Sequence, residues 1–191
     1  MKIAVFASGT GSNFSAILES IQSKNIMNVE VVLLVSDRPK ALAVQKARDE
    51  QIPVFTFKAN DFPNKQVYEE EILNELTQRG ADFIVLAGYM RLLGPVLLQA
   101  YDGKIINVHP SLLPAFPGKD AIGQALDYGV KVTGVTVHYV DEGMDTGPII
   151  DQRAVTIDPD ETRETLVKKI QEQEHRLLPE VIQRVASRQT F

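Results

Sequence analysis

The fold of this chain is decided by the stretch KIAVFASGTGSNF, residues 2–14. The short apolar run Ile3–Ala7 predicts a buried strand. This strand leads directly into the glycine turn Ser8–Asn13, and an amphipathic helix is predicted over Phe14–Lys24. A buried strand that passes through a tight turn into a helix is the first half of a parallel β-α-β unit.

The same alternation continues along the chain. Further strands are predicted at Val29–Val35, Val54–Phe57, Phe83–Leu86 and Ile105–Val108. Helical periodicity predicts helices at Ala41–Glu50, Lys65–Arg79, Pro95–Tyr101 and Ala121–Tyr128. Buried strands alternating with helices are typical of a parallel sheet that is covered on both faces.

The pattern changes in the last third of the chain. Val132–Val140 alternates, with Val135, Val137 and Tyr139 on one side and Thr136 and His138 on the other, and Ile149–Ile157 is a second strand. Two such strands joined by a short loop predict a hairpin. The fold class is therefore α/β: a doubly wound, mostly parallel, Rossmann-like sheet with helices on both faces, a C-terminal hairpin and a long C-terminal helix.

That last helix is predicted over Arg163–Ala186. Asp160 and Thr162 are both candidates for its N-terminal cap, because short polar side chains accept hydrogen bonds from first-turn amides. We expect Pro179 to kink or restart the helix.

Composition limits the classes of function. The chain has 191 residues, 44% hydrophobic content and a net charge of −5, so we expect one domain over residues 1–191 and no general affinity for nucleic acid. Without cysteines it has no disulfides or thiolate metal ligands, and its three dispersed histidines predict no metal site. The absence of a signal-like or membrane-length apolar run predicts a cytoplasmic protein without a membrane partner.

The glycine turn after the first strand is a candidate anion site. Glycines let the backbone approach an anion, and Ser12 or Asn13 can serve as N-cap of the helix whose free amides favour negative charge. Phe14 replaces the third glycine of the dinucleotide fingerprint, and the lysine of a nucleotide-binding P-loop is missing. A phosphate monoester therefore fits better than a dinucleotide, and the alternative is an ordinary glycine turn.

A second candidate site follows the fifth strand, in Asn107-Val108-His109-Pro110-Ser111-Leu112-Leu113-Pro114-Ala115-Phe116-Pro117-Gly118. Its three prolines predict a stiff loop that is not a helix. Asn107 and His109 lie two residues apart and project to the same side of an extended chain. An amide beside an imidazole suits a developing oxyanion that also needs proton transfer, although such residues also satisfy loop backbone.

Two acidic residues have both a functional and a structural interpretation. Asp145, in the hairpin loop, would orient the His109 imidazole if the two meet, and otherwise it is a solvated turn residue. Glu174 falls on the apolar stripe of the last helix, either at its edge in water or paired near a site. His138 and His175 are expected to be structural, and Lys65, Asp37 and Arg38 to be surface charges.

Taken together, these segments resemble the folate-dependent phosphoribosylglycinamide formyltransferases of purine synthesis. The resemblance rests on Ser8–Asn13, Ala87–Arg91, Asn107–Pro114 and the loop Asp141–Pro148, in the expected order over nearly the whole chain. It implies transfer of a formyl group from 10-formyltetrahydrofolate, as co-substrate, to the amine of 5-phosphoribosylglycinamide. It also implies no metal and a monomer or weak homodimer.

The resemblance also implies roles for individual residues. Asn107, His109 and Asp145 match the catalytic trio of the family. The ribonucleotide positions are Gly11, Ser12, Asn13 and Glu174. The folate positions are Lys65, Met90, Arg91, Leu92, Leu93, Asn107, Asp141 and Gly143. A cis peptide bond at Leu113-Pro114 is expected in the tight turn.

Four other functions are less consistent with the sequence. A methionyl-tRNA formyltransferase would be expected to add a C-terminal tRNA-binding domain and a basic surface, and a formyltetrahydrofolate deformylase an N-terminal regulatory domain. A non-catalytic sugar-phosphate binding module is permitted by the glycine turn alone, whereas Phe14 disfavours a dinucleotide oxidoreductase.

Overall fold

A computed structural model describes residues 1–188, which form a seven-stranded sheet flanked by helices. The strands are β1 (Lys2–Phe6), β2 (Glu30–Ser36), β3 (Val54–Thr56), β4 (Phe83–Leu86), β5 (Ile105–His109), β6 (Val132–Tyr139) and β7 (Ile149–Thr156). The α-helices in this range are α1 (Ser12–Gln22), α2 (Leu42–Asp49), α3 (Lys65–Gln78), α4 (Pro95–Ala100), α5 (Ala121–Tyr128) and α6 (Arg163–Arg188). A 3₁₀ turn at Ala59–Asp61 had no signal in the sequence.

The strand order is β3-β2-β1-β4-β5-β6-β7. Strands β1 to β5 run parallel, β6 pairs antiparallel with β5, and β6 and β7 form the hairpin. The predicted doubly wound, mostly parallel fold is confirmed. The order reverses between β1 and β4, and ligands of open α/β sheets bind at such a switch point, beyond the carboxyl ends of the strands.

Helices cover both faces of the sheet and bury two apolar clusters. One cluster joins α1, α2, α5 and α6 to the sheet and contains the fully buried Phe14 and Leu177. The other joins α3 and α4 to the opposite face and contains Ile72 and Leu97. The inner strands are buried on both sides, which explains why they read as continuous apolar runs.

The structure tests three expectations about the helices. Helix α1 begins at Ser12 after Gly11, so neither Ser12 nor Asn13 is its N-cap. Of the two candidate caps of α6, Thr162 is confirmed, since its Oγ1 accepts a hydrogen bond from the Thr165 amide at 3.2 Å. Of the two outcomes expected at Pro179, a restart is wrong and a kink stays a prediction: the helix runs through this residue, because its buried apolar stripe holds both halves against the sheet.

The hairpin depends on close contact at Gly134 of β6. A Cβ atom at this position would lie 2.0 Å from the Arg153 carbonyl oxygen and 2.7 Å from Leu112 Cδ2. We expect Gly134→Ala to lower the free energy of unfolding by about 1–3 kcal/mol, because the backbone of β7 has to shift. Urea denaturation measures this. Val132→Ala, at an exposed position of the same strand, is the control and should change stability by less than about 0.5 kcal/mol.

Candidate active site

The loops that follow β1, β4 and β5 meet at the carboxyl edge of the sheet, together with the hairpin loop between β6 and β7. The Ser8 amide, just after β1, donates to the Gly88 carbonyl after β4 at 3.0 Å. The Gly118 amide, at the end of the proline loop, donates to Asp145 Oδ2 in the hairpin loop at 2.7 Å. Residues far apart in sequence are therefore connected at one edge.

Asp145 is the centre of the polar cluster in this region. Its side chain is 13% exposed, and Oδ2 lies 3.4 Å from His109 Nδ1. Its other oxygen, Oδ1, lies 3.7 Å from His138 Nε2. Burial by itself raises the pKa of the Asp145 carboxyl, but hydrogen bonds and the neighbouring imidazoles outweigh that effect and hold the pKa below its ordinary value. The carboxylate is therefore kept ionised.

His109 is buried between two acceptors. Its Nε2 lies 2.9 Å from the Phe116 carbonyl oxygen, which only accepts, so this nitrogen carries a proton. Its Nδ1 faces the Asp145 carboxylate. A neutral ring satisfies one of these acceptors, whereas an imidazolium satisfies both. The two acceptors therefore fix the orientation of the ring.

Asn107 and His138 face each other across β5 and β6. The Asn107 Nδ2 atom lies 3.2 Å from His138 Nε2 and 3.5 Å from Asp145 Oδ1. His138 Nδ1 lies 2.8 Å from the Tyr139 carbonyl oxygen, so in the neutral ring Nδ1 carries the proton and Nε2 accepts from Asn107. His138 thereby orients the Asn107 amide, a role that the sequence analysis missed.

The glycine turn provides a second polar region at the same edge. Gly11 has a φ of +70°, and a Cβ there would lie 2.8 Å from Ala43 Cα, so the position excludes other residues whether or not an anion binds. The amides in the first turn of a helix have no acceptor within the helix. The Ser12 and Asn13 amides belong to the first turn of α1. These amides are compatible with the predicted anion site, which stays a prediction.

Glu174 lies beside this turn rather than at an edge in water. It is 8% exposed, and its Oε2 accepts a hydrogen bond from Asn13 Nδ2 at 3.0 Å. Burial raises the pKa of the Glu174 carboxyl to about 7, although the bond from Asn13 opposes the shift. Asn13 Oδ1 is buried and has no hydrogen-bond partner within residues 1–188. The two side chains form a buried polar pair at the start of α1.

The segment 88–94 follows β4 and forms another part of the edge. The side chains of Met90 and Leu92 are 63% and 53% exposed. Arg91 points elsewhere: its Nε donates to Asp37 Oδ2 at 3.1 Å, and its guanidinium lies 5.9 Å from the centre of the Tyr68 ring. Leu93 packs partly into the core. Met90 and Leu92 therefore offer the apolar surface.

Other predicted folate positions have partners within the chain. Lys65, at the start of α3, donates from Nζ to the Leu92 carbonyl at 2.8 Å. Asp141 Oδ1 accepts from the Gly143 amide at 3.0 Å and from Thr146 Oγ1 at 2.7 Å, which shapes the hairpin loop. A Cβ at Gly143 would lie 1.9 Å from Thr146 Oγ1.

Sequence reasoning also missed a network between Ser8 and Asp37. Ser8 Oγ donates to Asp37 Oδ1 at 2.5 Å and accepts from the Met90 amide at 3.0 Å. Asp37 was expected to be a surface charge, but its side chain is 9% exposed and pairs with Arg91. One signal was available, since Asp37 directly follows a buried strand, where parallel strands bring their loops together.

Comparison with known proteins identifies the class of this fold and site. The family model described as "Formyl transferase" matches residues 1–182. The chain belongs to the formyl transferase family, whose members are enzymes.

Within this family the resemblance inferred from the motifs is confirmed. The chain is similar to the phosphoribosylglycinamide formyltransferase of Bacillus subtilis, with 53% identity over 96% of this chain and 94% of the relative. A crystal structure of that type of enzyme from Bacillus halodurans matches with a TM-score of 0.95 and 52% identity over 98% of this chain and 96% of that chain. The chain is also 40% identical, over 95% of its length, to 14% of the trifunctional purine biosynthetic protein adenosine-3 of Drosophila melanogaster.

The part of the chain that the structure describes lacks both a membrane-length helix and a metal-ligand cluster. None of its helices combines the length and apolar character needed to cross a membrane. In the same residues, 1–188, no group of three or more histidine and carboxylate side chains is arranged to hold a metal ion.

The pKa of Glu174 predicts how stability depends on pH. Because the folded state holds this proton up to a pKa of about 7 and the unfolded carboxyl loses it near 4.5, the contribution of Glu174 to stability falls as pH rises between these values. Over this pH range, the contribution of Glu174 to the free energy of unfolding falls by about 3 kcal/mol. Urea unfolding at pH 5 and at pH 7.5 measures this change. We expect the free energy of unfolding to decrease less between these pH values in Glu174→Gln than in the unmodified protein. An equal decrease in both proteins would contradict this assignment.

Proposed function

We propose that this protein transfers the formyl group of 10-formyltetrahydrofolate to the amine of 5-phosphoribosylglycinamide in purine (IMP) biosynthesis. The observation that carries the proposal is the buried cluster of Asn107, His109 and Asp145, which lies at the same sheet edge as the glycine turn before α1. The 53% identity to a phosphoribosylglycinamide formyltransferase supports this choice of substrates.

The ribonucleotide has a suitable place between β1 and β5. Gly11, Ser12 and Asn13 would hold its phosphate with backbone amides at the start of α1. Strands β1 and β5 are two strand spacings apart, about 10 Å, which a phosphorylated ribose carrying a short amide can span. Glu174, next to Asn13, would accept hydrogen bonds from the ribonucleotide.

The folate has a suitable place beside the segment 88–94. Exposed Met90 and Leu92 would contact the flat pterin ring, with Arg91 and Leu93 supporting the segment from behind. The hairpin loop, shaped by Asp141 and Gly143, would form the opposite wall. Lys65 and Asn107 complete the proposed folate contacts. Lys65 acts at least indirectly, because its Nζ donates a hydrogen bond to the Leu92 carbonyl.

Formyl transfer in this site would proceed by direct attack. The substrate amine forms a bond to the formyl carbon, and the formyl oxygen becomes an oxyanion. Protonated His109 and the Asn107 amide are placed to stabilise that charge, provided each exchanges a present partner, Phe116 O or Asp145 Oδ1, for the substrate oxygen. The bond from the formyl carbon to the folate nitrogen then breaks.

Asp145 would stabilise the imidazolium and assist proton transfer. The proton lost by the attacking amine has to reach the departing folate nitrogen, and an ionised carboxylate beside His109 can relay it. The chemistry needs no covalent bond to the protein, so holding two ligands together supplies much of the rate.

Several further features remain part of the proposal. Residues 1–191 are proposed to form a single formyltransferase domain that acts as a monomer or weak homodimer in the cytoplasm. The small-molecule substrates need no metal in this mechanism, and no nucleic acid or membrane is involved.

The first test follows folate deformylation with and without 5-phosphoribosylglycinamide. We expect release that depends on the ribonucleotide. In His109→Ala, Asn107→Ala and Asp145→Ala, kcat should fall about 100- to 1,000-fold, because each variant removes a group that stabilises the transition state. Formyl transfer near the unmodified rate in His109→Ala would refute the mechanism. Equal release without the ribonucleotide would mean that water is the acceptor.

A second prediction concerns His138. His138→Leu removes the acceptor that orients the Asn107 amide, so we expect kcat to fall about tenfold. Steady-state kinetics measures this, and the KM values should change less than kcat. Thr133→Val, a near-isosteric change at a buried position of the same strand, is the control. A similar loss of kcat in both variants would show that the effect comes from the packing of β6 and not from the hydrogen bond to Asn107.

A further inference from the structure

Glu69 is a buried carboxylate on α3 to which the mechanism gives no role. It is 1% exposed, and burial raises the pKa of its carboxyl. Its Oε1 accepts a hydrogen bond from the Gly94 amide at 2.5 Å, whereas Oε2 has no hydrogen-bond partner within residues 1–188. Burying such a group costs free energy, so a leucine would serve packing alone better.

Gly94 fits closely against this carboxylate. A Cβ atom at position 94 would lie 2.7 Å from Glu69 Oε2 and 2.8 Å from Lys65 Cδ. The backbone angles of Gly94, φ −102° and ψ −179°, are extended and open to any residue. An added Cβ would therefore force the Glu69 carboxylate and the Lys65 side chain to shift, although the backbone conformation itself would accept any residue.

The contact with Glu69 is one of several that hold the segment 88–94. At one end the Met90 amide donates to Ser8, and Arg91 pairs with Asp37. At the other end Leu92 and Gly94 are held from α3: Lys65 Nζ donates to the Leu92 carbonyl, and Gly94 donates to Glu69. The exposed Met90 and Leu92 side chains are thus carried by backbone that is fixed on both sides.

We propose that Glu69 is a positioning residue that sets the affinity for the folate by fixing the backbone of residues 92–94. The inference rests on the proposed function, in which Met90 and Leu92 contact the pterin. Glu69 acts on the segment through the Gly94 amide, to which its Oε1 is hydrogen-bonded, and not by contact with the ligand, since its side chain is buried. A carboxyl oxygen accepts hydrogen bonds from backbone amides, and Glu69 Oε1 lies 2.5 Å from the Gly94 nitrogen.

The first experiment compares two substitutions of Glu69 in the full chain. Glu69→Leu removes the acceptor, and we expect the KM for 10-formyltetrahydrofolate to rise about tenfold while the KM for 5-phosphoribosylglycinamide changes less than twofold. Glu69→Gln keeps an oxygen that can accept from Gly94 and should restore most of the folate affinity. Glu71→Leu, at an exposed position two residues along α3, is the matched control.

The second experiment remains informative if Glu69→Leu folds poorly. Gly94→Ala introduces the Cβ that would meet the Glu69 carboxylate, so it should also raise the KM for the folate. In a Glu69→Ala background the carboxylate is gone, and the added effect of Gly94→Ala should be several-fold smaller. This non-additivity is specific to contact between the two positions.

Each outcome supports or overturns the inference. A selective rise in the folate KM, rescued by Glu69→Gln and non-additive with Gly94→Ala, supports it. A lower melting temperature with both KM values unchanged, or equal rises in both KM values, overturns it and leaves Glu69 with a purely structural role. If the unmodified protein does not transfer formyl groups, the proposed function itself fails, so the two failures are distinguishable.

Discussion

The parallel pairing of β1, β4 and β5 is the constraint on which the site depends. Parallel neighbours release their chains at the same edge of the sheet, so the glycine turn, the segment 88–94 and the proline loop emerge side by side. The reversal of strand order between β1 and β4 leaves a crevice there. Antiparallel β6 then adds His138 opposite Asn107, and its hairpin loop returns Asp145 to the same edge.

Buried carboxylates at and around this edge differ because their surroundings differ. Asp145 is near two imidazoles and a backbone amide, which keep its pKa low despite burial. Glu174 has one neutral hydrogen-bond donor, Asn13, and its pKa rises to about 7. Burial also raises the pKa of the Glu69 carboxyl, yet this group binds the backbone amide of Gly94 rather than facing the site. Number and charge of hydrogen-bond donors, rather than residue type, therefore decide what each carboxyl group can do.

Sequence patterns gave most of the fold and the composition of the site. Apolar runs located β1 to β5 and alternation located β6, each to within a residue or two, and the 3.6-residue period located the helices, because burial imposes these patterns directly. The errors lie where local signals compete. Ser12 resembles a cap but follows Gly11, whose positive φ already starts the helix. Pro179 resembles a break, but packing of α6 against the sheet outweighs its local cost.

By itself, the sequence determined the alternation of strands and helices, the glycine turn and the chemical groups available at Asn107 and His109. Only the tertiary structure decided which distant groups meet: Asp145 with His109, Glu174 with Asn13, and Glu69 with Gly94. The physical reason is that hydrophobic periodicity is a local property that each segment carries alone. Contacts between polar groups 25 to 161 residues apart depend on strand order and loop geometry, which no single segment encodes.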